Sequence, residues 1–180
     1  MQRRTRRRRL GPEERHEAMT DTTAPVRYIE RTRDYYRALG YAKDYVWATF
    51  GDVPFTRLAR PLAQSRIGLV TTASPGDPAA HGPGYVRQVW SGTVAPPPAE
   101  LFTANLAWDK ESTHTRDRES FLPIETVSAL VREGRVGGLA AHFHGVPTEY
   151  SQRKTIDDDA PQVLRRLRDD GAVAAILCPL

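Results

Sequence analysis

The stretch Gly171-Ala-Val-Ala-Ala-Ile-Leu-Cys-Pro-Leu180 decides the fold. Residues 172–178 are small or branched apolar side chains without a charge, and they follow a polar segment over 157–170. A run this short, after a helical pattern and a glycine, predicts an interior strand of a parallel sheet covered on both faces. Pro179 cannot donate to a ladder and marks the strand's carboxyl end. Ligands of open α/β sheets gather beyond the carboxyl ends of the strands, which makes Cys178 and Pro179 candidate near-site residues. A parallel interior strand normally feeds a covering helix. None follows in this sequence, so either the strand closes the topology or the chain is a fragment of a longer product.

Upstream of that strand, Asp157-Asp-Asp159 supplies acidic residues for a helix amino terminus, and Val163, Leu164 and Leu167 carry the helix towards Gly171. Residues 145–155 read as loop. Val136-Gly-Gly-Leu-Ala-Ala-His-Phe-His144 is a further strand candidate. His142 and His144 are two apart, so in extended chain they point to the same side. Two imidazoles so placed can share a metal, serve a substrate or move a proton, or pack at a strand end. No third ligand sits at a usual spacing, and no metal is expected. Pro123 at a first helical turn, with Ile124, Val127, Leu130 and Val131, predicts a short helix finishing near Gly134. Residues 109–120 form a dense polar loop; its His114, Arg116 and Asp117 can hold an anionic substrate or simply belong to a solvated connection.

Residues 85–93 alternate as a strand. Ile67-Gly-Leu-Val-Thr-Thr-Ala73 is a strong strand whose end carries the hydroxyls of Thr71, Thr72 and Ser74, where a first βα turn meets a ligand. Ser74-Pro-Gly-Asp-Pro78 is broken by proline and Gly82-Pro-Gly84 prolongs the loop, so a Rossmann nucleotide site is disfavoured. The loop is a lid or plain surface. Over 26–45, Ile29, Tyr36 and Leu39 recur at helical spacing and predict an amphipathic helix interrupted near Gly40. Its aromatic neighbours, with Tyr45 and Trp47 beyond, read as packing surface and not as a base-stacking platform. The order strand, loop, strand, helix, strand, helix, strand predicts an α/β fold, a layered and mostly parallel sheet with flanking helices whose C-terminal covering helix is missing.

With 180 residues the chain suits one main domain with its own core. The expected division is a disordered basic extension over 1–18, an N-terminal helical segment over 19–54 and the α/β domain over 55–180. A single cysteine excludes a disulfide framework within the monomer and points to the reducing cytoplasm. No apolar stretch nears the roughly 20 residues that span a bilayer, so no membrane partner is expected. The arginine-rich start lacks the apolar run of a secretory signal. The formal charge of +4 resides in 1–18, where seven arginines face three glutamates, and the remainder is balanced. That segment reads as an in-frame extension ahead of a true start at Met19, or as an arm attracting phosphate backbone or anionic lipid. For the body of the chain, nucleic acid is disfavoured.

Three stretches carry a comparison: Ile67-Gly-Leu-Val-Thr-Thr-Ala73, Ser120-Phe-Leu-Pro-Ile-Glu-Thr-Val-Ser-Ala-Leu-Val-Arg-Glu-Gly-Arg-Val-Gly-Gly-Leu-Ala140, and Ala160–Leu180 with its ending Leu167-Arg-Asp-Asp-Gly-Ala-Val-Ala-Ala-Ile-Leu-Cys-Pro-Leu180. Together they resemble the selenoprotein B family of the glycine, sarcosine, betaine and D-proline reductases. In that family the terminal strand is followed at once by selenocysteine or cysteine, then proline and, two residues on, a cysteine, before a long helix. The resemblance therefore implies that the catalytic residue stands immediately after Leu180, encoded by a UGA codon, and that none is present in the chain as it stands. It further implies a cytoplasmic selenol- or thiol-dependent oxidoreductase subunit with a small-molecule substrate and a thiol reductant protein. No cofactor is implied beyond the selenocysteine of the complete product. Amides at a helix amino terminus would stabilise the chalcogen anion, and the partner cysteine would resolve its oxidised form.

Cys178 lies before the redox position and takes no catalytic role; it reads as a small buried hydrophobe or an auxiliary thiol. His142, His144, Thr71, Thr72 and His114 are the residues expected to shape the pocket. The rival is a non-catalytic ligand-binding or interaction domain ending at Leu180, and a third reading is a nucleic-acid-associated protein using the arginine arm. An uncovered sheet face would favour self-association, which leaves room for a homo-oligomer.

Overall fold

The computed structural model describes residues 27–44, 46, 49–53, 56–104, 111, 115–148 and 151–179. The extension over 1–18, Met19, Tyr45, Trp47, His114 and Leu180 lie outside the described residues. The chain divides into two compact units between residues 50 and 51. In the first, α1 (Tyr28–Ala38) is an amphipathic helix with no buried residue, and the chain turns beyond it at Gly40, whose φ is +86°.

The second unit is built on a mixed four-stranded sheet flanked by helices, an α/β fold. Its strands are β1 (Arg66–Thr71), β2 (Trp90–Thr93), β3 (Gly138–Gly145) and β4 (Ala174–Cys178), in the order β2-β3-β1-β4. β1 pairs in parallel with both β3 and β4, whereas β2 runs antiparallel to β3. As a central strand, β1 is buried from Ile67 to Thr71. Leu69 packs with Phe143 and with Ile124 and Val127 of α2 (Ile124–Arg132). Val70, one residue on and so on the opposite face, packs with Val163 and Leu167 of α3 (Ala160–Asp169). Both helices stop at a left-handed glycine: Gly134 N donates to Val131 O and Gly171 N to Arg168 O. These closures turn the chain back towards β3 and β4.

Three expectations are corrected. β4 is an edge strand and not an interior one: among the described residues only β1 pairs with it, and Ile176 and Leu177 are 40% and 69% exposed. Apolar composition makes a strand tolerant of burial, but strand order decides whether neighbours supply it. Strand pairing within 85–93 is confined to β2, because Trp90 lies opposite Gly145, the last residue of β3, and residues before it have no strand to meet. Finally, the helical segment begins at Ser151, whose Oγ accepts from Lys154 N at 3.2 Å. Asp157-Asp-Asp159 sits inside a π turn, Thr155–Asp159, that leads into α3, and not at a helix amino terminus.

Candidate functional site

Register gathers the carboxyl ends of the parallel strands. Thr71 lies beside Gly145 on one side and Cys178 on the other. The Thr71 side chain is fully buried; its Oγ1 accepts from Ala73 N at 3.3 Å and its carbonyl from Val146 N at 2.9 Å. Thr71 therefore ties together the loops that leave β1 and β3. Thr72 is half-buried next to it.

Those loops line a small pocket of about 50 Å³. Ser74 and Pro147 come from the two strand ends, His81, Tyr85 and Arg87 from the segment between β1 and β2, and Trp90 from the start of β2. Trp90 can lie over β3 because its partner is Gly145, where a Cβ would collide with the indole. The indole Nε1 donates to Ala73 O at 3.3 Å, and its ring meets Phe143 edge to face at 5.3 Å. His81 stacks on Tyr85 with ring centroids 4.1 Å apart. The acid of this loop, Asp77, is spent on a local cap, its Oδ1 accepting from Ala79 N at 2.8 Å.

Of the two strand histidines, His142 is exposed and its Nδ1 lies 3.0 Å from the Asp170 carboxylate, which also accepts the His142 backbone N–H at 2.9 Å. His144 is buried. Arg166 Nη1 donates to Ser91 Oγ at 2.9 Å, and the same oxygen lies at hydrogen-bonding distance, also 2.9 Å, from His144 Nδ1. His144 Nε2 is a buried atom with no hydrogen-bond partner among the described residues. An unpaired polar atom is expensive in a folded interior, at about 1–3 kcal/mol. Both histidines thus meet groups of α3 and its cap, but through separate partners.

Burial pushes the His144 imidazole below its ordinary pKa; Asp170 opposes this, while Arg166 and His142 add to it. The unfolded chain then binds a proton that the folded protein refuses. The stability is complete above the ordinary histidine pKa of about 6.5 and is lost as pH falls towards the depressed folded value. Urea unfolding between about pH 7.5 and 5 should show a steeper loss for the wild type than for His144→Gln. Parallel slopes would contradict a buried neutral imidazole.

Cys178 is half-buried at the end of β4, and desolvation pushes its thiol pKa up, so at neutral pH it is a protonated thiol and not an activated nucleophile. Pro179 is exposed beside it. Arg116 lines a second cavity with Arg118 and Phe121 that shares Pro75 with the first, and Asp117 caps the short turn Arg118–Ser120. Among the described residues no group of three or more His, Cys, Asp or Glu is arranged to hold a metal ion, and no helix is long and apolar enough to cross a membrane.

Sequence reasoning missed His81, Tyr85, Arg87 and Trp90 as pocket residues. One signal was available: the proline- and glycine-rich loop over 74–84 directly follows the strand whose carboxyl end was already suspected. No protein-family model, curated protein or solved structure matches the chain.

Proposed function

We propose that the chain belongs to a selenol- or thiol-dependent oxidoreductase subunit of the selenoprotein B kind, acting on a small molecule in the cytoplasm. The observation that supports this reading is the register at the sheet's carboxyl edge. Cys178 is level with Thr71 and Gly145, so a redox pair beyond Pro179 would enter beside the loops that wall the pocket. A helix following that pair, laid over the face of β4 that exposes Leu177, belongs to the same proposal and would complete a layered, mostly parallel sheet.

In such a subunit the chalcogen–cysteine pair would be oxidised as the substrate gains two electrons, and an external dithiol protein would return the pair to its reduced state. The residues in hand would supply a closed wall at Trp90, a cation at Arg87 and the hydroxyls at the end of β1. Reading the nucleotides beyond codon 180 tests the proposal. An in-frame UGA or cysteine codon followed by Pro-x-x-Cys is expected, with selenium incorporation in the native product for the UGA case. An ordinary stop, or a continuation without a thiol pair, would defeat it. That outcome would leave a ligand-binding domain, a reading favoured by the pocket's being lined wholly by residues 73–147.

A further inference from the structure

We infer that the pocket beyond β1 and β3 binds the anionic group of a small ligand, and that Arg87 is the residue that recognises it. The assignment extends the proposed function without depending on it, since a reductase subunit and a ligand-binding domain could both use such a pocket.

Charge in the described lining of the pocket is one-sided. Arg87 is half-buried and lines the pocket, yet among the described residues no Asp or Glu lines it with Arg87. Its hydrogen bonds go to Thr148, from Nη1 to Oγ1 at 3.2 Å and to the carbonyl at 3.5 Å, both uncharged acceptors. The nearby loop acid, Asp77, already caps its own turn. A guanidinium does not escape this situation by losing its proton. Partial burial strengthens its field, so an anionic group entering the pocket would meet a cation that its described lining leaves unneutralised.

Geometry supports a fixed receptor. Thr148 holds one end of the guanidinium, and the Arg87 carbonyl accepts from Lys154 Nζ at 3.4 Å, so backbone and side chain are both tethered. A guanidinium carries five N–H donors in a planar fork, and tethering through Nη1 leaves donors for a pair of oxygens. Trp90 has committed its indole N–H to Ala73 and offers only ring surface, and the His81–Tyr85 stack adds a second flat wall. Ser74 and Gln88 provide uncharged polar edges. A carboxylate or phosphate joined to a compact apolar or polar body suits this lining.

The test follows the Trp90 indole N–H resonance of the full chain during titration with acetate, inorganic phosphate and, as the uncharged counterpart, acetamide, all at constant ionic strength. Saturable shifts with acetate or phosphate but not acetamide are expected, and the tighter of the two anions identifies a carboxylate or a phosphate ligand. Arg87→Gln should weaken anion binding by about 10-fold or more, the usual scale for losing a charge-assisted pair. Arg87→Lys keeps the charge but not the fork and should fall between the two. It also serves as the folded control should Arg87→Gln unfold. Equal response to acetate and acetamide, no response to either anion, or wild-type anion affinity in a folded Arg87 variant would overturn the assignment.

Discussion

Lys154→Met is expected to cost the second unit about 3–5 kcal/mol, because it leaves a buried carboxylate without its cation. Asp159 is 1% exposed, and its oxygens lie 3.2 and 3.4 Å from Lys154 Nζ. The pairing is a product of the π turn, which widens the helix by one residue and sets positions five apart over one another. The same ammonium reaches the Arg87 carbonyl, so the loss extends to the pocket wall. Equilibrium urea unfolding reads the effect. The double change Lys154→Met with Asp159→Leu should recover most of the stability, since removing both charges removes the desolvation penalty with the attraction. A single variant as stable as the wild type would place the pair on the solvated surface, where such bridges contribute little, and a double variant no better than the single would mean that the loss does not arise from the unpaired carboxylate.

The π turn also marks a limit of sequence reading. Asp157-Asp-Asp159 carries the composition of a helix amino terminus, and nothing in composition separates that from an acidic widened turn. What distinguishes them is Lys154 closing on Asp159 and Ser151 capping the turn ahead, contacts realised only once the chain has folded. By contrast, β1 and β3, α2 and α3 announce themselves through local periodicity, and the glycines ending both helices are legible because the left-handed turn asks for that residue type. The two strand histidines show both sides. Their common side follows from a spacing of two, whereas their separate fates depend on Asp170 and Ser91, which are remote in sequence.

The candidate site divides in the same way. A location at the carboxyl ends of β1, β3 and β4 was readable from the strand candidates, and Thr71 and Cys178 do meet there. Of the pocket's own walls only Ser74 was, because Arg87 and Pro147 come from segments remote from it in sequence. The alternation over 85–89 suggests a strand, yet this segment instead faces the pocket with Tyr85 and Arg87, since β3 has already ended. The terminal stretch misled for a related reason. Its run of small apolar residues suits an interior strand, but β1 already has β3 on its other side, and β4 is left at the edge.

Phe143→Ala should lower stability by about 3–5 kcal/mol, the scale of emptying a large aromatic from a packed interior. Phe143 is fully buried among Leu69, Leu122, Ile124 and Val127, and Gly92 on the neighbouring strand leaves its ring the space that a Cβ would fill. The same ring supports Trp90 edge to face, so a cavity here should also loosen the indole that walls the pocket and weaken anion binding there. Leu177→Ala is the informative counterpart. It removes an equally apolar side chain from the more uniformly apolar strand, yet Leu177 is 69% exposed, and the expected change is within about 0.5 kcal/mol. Urea unfolding of the two variants therefore separates composition from position. Comparable losses would mean that β4 is packed as its sequence suggests, and a large loss at Phe143 alone would mean that strand order governs burial.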